Sequence, residues 1–118
     1  MFRTLFLMLF LFSVSVYAQA QAKPTAYKFF EYGKISDNLL KEKLADYYKE
    51  LKQGNSQGYV IDYGSDKDVK KRQKQMKNSD AFRGADAPKI EYVRGLSKNE
   101  AKTILWIVPK GALPPTPN

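Results

Sequence analysis

The chain has no cysteine and no histidine, and these two absences exclude more chemistry than any motif present suggests. Disulfides, a thiol nucleophile, lipid attachment through cysteine, the usual zinc ligand sets and a Ser-His-Asp triad are all impossible. Carboxylates and lysines remain for acid–base work, but their spacing concentrates nowhere into a pocket. Composition therefore predicts a protein that is not an enzyme and uses no metal or cofactor. Long hydrophobic runs are missing as well. The run from Leu5 to Phe12 is too short to span a bilayer comfortably.

Acid is in short supply: Asp and Glu number 12 against 20 Lys and Arg, a net charge of +8. Arg3 is the only charge among the first twenty residues, so the remainder keeps +7. Such a surplus attracts polyanions, whether anionic lipid headgroups, nucleic acid or acidic cell-wall polymers, without selecting among them.

What is present begins with an export signature. Arg3, the apolar run and the small-residue exits Val16-Tyr17-Ala18 and Ala18-Gln19-Ala20 predict a secretory signal over residues 1–20, cut after Ala18 or Ala20. The expected location is periplasmic or extracellular, with no stable membrane span after cleavage. Export also argues against a nucleic-acid partner. One domain is predicted over residues 26–109, followed by a disordered Pro-rich tail at 110–118.

Within the domain, Ala26 to Tyr32 carries aromatics on both sides of a strand. Ser36, Asp37 and Asn38 offer cap oxygens to a helix whose apolar set is Leu39, Leu40, Leu44, Tyr47, Tyr48 and Leu51. Gln53-Gly54-Asn55 ends it with a left-handed cap. Tyr59 to Tyr63 is a second strand, and Gly64 turns it into a helix from Ser65 to about Asn78, capped by Ser65 or Asp66. The apolar face of this helix is thin: Val69, Met76, and at most Ala81 and Phe82. It is also the most basic element of the chain. Ser79 to Lys89, with Gly84, Asp86 and Pro88, reads as a loop. Ile90 to Arg94 is a third strand with Ile90 and Tyr92 on one face and Glu91 and Val93 on the other. Thr103 to Val108 is apolar on both faces and so belongs inside its sheet. The short link between these two predicts an antiparallel hairpin. The order β-α-β-α-β-β predicts an α+β two-layer sandwich, a four-stranded mixed sheet with helices on one face.

Polar residues at the C-terminal edge of the second strand occupy the place where α/β folds bind ligands. Ile61-Asp62-Tyr63-Gly64-Ser65-Asp66, together with the export signal and the element order, resembles an OmpA-like domain, the envelope module that binds peptidoglycan. In that family an Asp and an Arg hold the ammonium and carboxylate of the diaminopimelate residue of the wall peptide. The resemblance places Asp66 at the family's Asp, Ser65 at its Thr and Arg72 on the helix that supplies its Arg. Tyr63 replaces the motif glycine, and the stretch from Asp66 to Arg72 is several residues shorter than the family's. The resemblance implies a ligand-binding edge made of Gly64, Ser65, Asp66 and Arg72, with peptidoglycan or another envelope protein as partner. The residues by themselves leave a second reading open, an interaction module for a protein or an acidic polymer with a degenerate ligand site.

Overall fold

The computed structural model describes residues 23–79 and 88–118. The signal segment at 1–20, and Ala81, Phe82, Gly84 and Asp86, lie outside the described residues. Six elements follow in the expected order: β1 (Tyr27–Tyr32), α1 (Asp37–Gly54), β2 (Gln57–Tyr63), α2 (Asp66–Lys77), β3 (Ile90–Arg94) and β4 (Lys102–Val108). They make an α+β fold with a four-stranded mixed sheet. No helix among the described residues is long and apolar enough to cross a membrane.

Helix α1 forms where its periodicity places it. The Ser36 side chain accepts from the Leu39 N–H at the start, and Asn55, at φ 48°, takes the left-handed position at the end. Leu40, Leu44, Tyr47, Tyr48 and Leu51 are buried, but Leu39 is 41% exposed. At 100° per residue Leu39 falls outside the arc that the other five share, so its inclusion in the apolar face is corrected. The helix packs on one side of the sheet. Leu40, Leu44, Tyr47 and Leu51 join Met76 of α2 and the strand residues Tyr32, Val60, Leu105 and Ile107 in a single core. Both helices thus cover the same face. Each fully buried leucine in it contributes about 1.5–3 kcal/mol.

The sheet order is β1-β4-β2-β3, and this overturns the expected β3–β4 hairpin. Strand β3 lies parallel to β2 at the rim, while β4 runs antiparallel to both β1 and β2 between them. Strand β4 is apolar on both faces, which suits an interior position; β3 keeps Glu91, Tyr92 and Arg94 exposed. The link 95–101 only has to pass the end of β2. That is two strand spacings, about 10 Å, well within the reach of seven residues. The face assignment within β3 holds, with Ile90 packed on the helix-side core and Val93 on the other side.

The second face of the sheet carries Tyr59, Ile61, Tyr63, Ile104 and Val108, with Ala112 packed against them. The Pro-rich tail contains no helix or strand. Instead of running off into solvent it turns back, with Ala112 N–H donating to the Pro109 carbonyl, and its Pro117 carbonyl accepts from Leu96 N–H.

One side chain ties α1 to the centre of the sheet. The Tyr47 hydroxyl donates to the Trp106 carbonyl at 2.6 Å and accepts from the Tyr59 N–H at 3.1 Å. Tyr59 and Trp106 are register partners on β2 and β4, so a helix hydroxyl bridges two strands at one rung. Gly58 makes room for it, since a Cβ there would stand 2.8 Å from that hydroxyl. Tyr47→Phe leaves the ring but strands the buried Tyr59 N–H, at an expected cost of about 1–3 kcal/mol. Urea unfolding gives the number, and amide exchange at Tyr59 should accelerate. Unchanged stability would mean that the strands close the rung directly.

Candidate functional site

The C-terminal ends of β1 and β2 and the start of β4 meet at one end of the sheet. Gly64, at φ +118°, turns the chain there, a conformation that L side chains rarely adopt. Ser65 is the cap of α2: its hydroxyl oxygen accepts from Asp68 N–H and its O–H donates to Asp68 Oδ2 at 2.9 Å. The acids Asp66 and Asp68 open the helix and Lys74 and Lys77 close it, in the sense that its dipole favours.

The four residues expected at the ligand edge do not act together. Asp66, with its side chain 87% exposed, pairs with Arg94 of β3 at 3.0 Å, and Arg94 also donates to the Gly64 carbonyl at 2.6 Å. Arg72 turns the other way, under the helix, and is only 7% exposed. Its Nε donates to Thr103 Oγ1 at 2.9 Å, and one terminal nitrogen donates to the carbonyls of Tyr63 and Lys102. The Thr103 hydroxyl in turn donates to Asp62 Oδ1 at 2.5 Å, and Gln73 donates to Asp62 Oδ2 at 3.4 Å. A guanidinium and a carboxylate are therefore buried together through one threonine. They pin α2 to β2 and β4 where its apolar contacts, Val69 and Met76, are few. Arg72, expected at the ligand edge, is instead the third buried residue of this helix.

Tyr32 completes the buried cluster. Its hydroxyl has no hydrogen-bond partner among the described residues. Burial, with the negative charge of Asp62 adding to it, pushes this hydroxyl up to about 12, so it stays neutral. Asp62, Asp66 and Glu91, the acids whose convergence would suit catalysis, do not share a cleft. Asp62 is buried under α2, Asp66 points to Arg94, and Glu91 is exposed next to Val93, which packs on the opposite sheet face. Among the described residues no group of three acids could hold a metal ion.

A different constellation opens beside Arg72. A cleft of about 520 Å³ lies between the connection from β1 to α1 and the first turns of α2, with Lys34, Asp37, Asp68, Lys71, Arg72 and Gln75 on its walls. Gln75 braces it by donating to the Ile35 carbonyl and to Asp37 Oδ1. Lys34 and Lys71 are exposed, and no ion pair among the described residues engages them. Two carboxylates, Asp37 held by Gln75 and Asp68 held by Ser65, and three cations thus line a single cleft. The sequence carried a signal for this: Asp68 and Arg72 are four apart and share a helix side, while Asp66 and Arg72, six apart, do not. A shallower groove of about 340 Å³ on the other side of α2 is lined by Asp66, Lys70, Gln73, Tyr92 and Arg94.

Comparison with known proteins finds no matching family model, no matching curated protein and no matching solved structure.

Proposed function

We propose that the protein is an exported, non-enzymatic cell-envelope module that binds peptidoglycan through the cleft beside Arg72. Export rests on the N-terminal signal pattern, and the wall as partner rests on the resemblance to OmpA-like domains. The observation that carries the reading is that Asp68 and the cations Lys34, Lys71 and Arg72 line one cleft. A zwitterionic amino acid needs an anion for its ammonium and a cation for its carboxylate, and a planar guanidinium serves a carboxylate better than an ammonium does. In this reading Asp68 takes the role first given to Asp66. Arg72 forms the floor of the cleft while its remaining donors hold the strand ends.

Sedimentation with purified sacculi tests it. Asp68→Asn and the pair Lys34→Ala with Lys71→Ala should each lower binding at least tenfold, whereas Asp66→Ala should bind as wild type does. Sacculi carrying lysine in place of diaminopimelate should bind weakly, because the second carboxylate is gone. Loss of binding on Asp66→Ala or Arg94→Ala, with the cleft variants unaffected, would move the site to the groove between α2 and β3 and overturn this reading.

A further inference from the structure

The outer face of α2 is a second feature, which shares only Lys71 with the cleft. Lys67, Lys70, Lys71, Lys74 and Lys77 are all exposed, and no ion pair among the described residues engages any of them. At 100° per residue they occupy one arc of about 120° and run about 15 Å along the axis. After Asp68 the helix contains no acid. Helix α1 differs: its outward positions mix both signs, with Lys41, Glu42, Asp46, Lys49 and Lys52, the surface that solubility alone calls for. From Lys70 onward the lysines of α2 stand three and four apart with no carboxylate between them, an arrangement that weakens an isolated helix. The one arginine of α2 is spent inside the molecule.

We infer that this face is a docking surface for a linear polyanion, a polymer bearing phosphodiester or carboxylate groups along its backbone. Lysines supply movable point charges on flexible stems, which match a row of anions without fixing their geometry. On α2 itself nothing apolar stands among the five lysines to enter a bilayer, and Tyr92 of β3, 50% exposed beside Lys70 and Lys77, offers a base a single ring at the edge of the patch rather than a row of stacking platforms. A flexible polymer of repeating charge is the partner this chemistry fits. Its binding is salt-sensitive and shows little sequence or stereochemical preference. The cleft beside Arg72 touches this arc only at Lys71, which the variants below leave in place, so the two surfaces can be tested apart.

The test compares three proteins: wild type, the α2 variant Lys70→Gln, Lys74→Gln, Lys77→Gln, and the α1 variant Lys41→Gln, Lys49→Gln, Lys52→Gln. The two variants lose the same charge, and glutamine keeps both helices well formed. Binding of linear polyphosphate and of polyglutamate is measured by fluorescence anisotropy over a salt series. At 50 mM salt the α2 variant should bind at least tenfold more weakly than wild type. The slope of log affinity against log salt should flatten by about 2–3, one counterion released for each lysine removed. The α1 variant should keep most of the affinity. Equal losses in the two variants would reduce the effect to net charge and overturn the proposal. So would wild-type binding by the α2 variant, or capture of wild type by vesicles containing phosphatidylglycerol but by neither polymer. Sacculus binding through Asp68 and Lys34 can succeed or fail whatever this experiment returns.

Discussion

Arg72→Met is expected to lower the stability of the fold by about 3–5 kcal/mol, the largest effect of any single change to a charged residue here. Methionine fills much of the same volume, so the loss does not come from a void. It comes from Asp62, 2% exposed, whose carboxyl group would be left beneath α2 with no cation in its hydrogen-bond chain. The carbonyls of Tyr63 and Lys102 would also lose the guanidinium donor that joins the ends of β2 and β4. Urea unfolding at an unchanged dependence on denaturant measures the loss. Adding Asp62→Asn to Arg72→Met should recover a substantial part of it, because the buried charge goes with its partner. If Arg72→Met unfolds at the wild-type midpoint, Arg72 is not the anchor of α2, and its place in the cleft becomes its main role.

Gly95→Ala is expected to cost about 3 kcal/mol, at the upper end of what overpacking a close contact does. A Cβ at this position would stand inside 3.0 Å of three carbons of the Tyr63 ring. The ring has little room to yield, being 6% exposed among Tyr59, Ile61 and Ile104 on the second sheet face. The backbone cannot yield cheaply either. Gly95 N–H donates to the Asp62 carbonyl at 2.8 Å, directly after the last β2–β3 register pair, Asp62 with Arg94. Thermal unfolding reads the effect. Combining Gly95→Ala with Tyr63→Ala should cost less than the sum of the two single changes, since the small residue removes the clash. Strict additivity would show that Gly95 is needed for its backbone and not for the ring above it.

The elements were legible where one periodicity dominated. Helix α1 announced itself by five apolar residues on one side, and β4 declared its interior place by being apolar on both faces. Pairing was less legible. A link of seven residues permits both a hairpin and a step across one strand, and the burial demand of β4, not the length of the link, selects the second. The site was half legible. Gly64 and Ser65 stand at the predicted turn and cap. Arg72 was misread because composition makes every cation on a lysine-rich helix look alike, although its register with Val69 and Met76, three before and four after, marks the buried side. The resemblance to OmpA-like domains points to Asp66 by motif order, but the turn of the helix sends Asp66 to Arg94 and sets Asp68 in the cleft with Arg72.

Strand β1 forms one rim of the sheet, and its pairing with β4 slips between Lys28 and Phe30. An irregular rim offers an incoming chain no continuous row of donors and acceptors, and Lys28 and Glu31, bridged at 3.7 Å, place charge on the same segment. At this rim a small, aromatic-rich sheet is thereby guarded against templating its own polymerisation, a hazard that rises with local crowding of many copies.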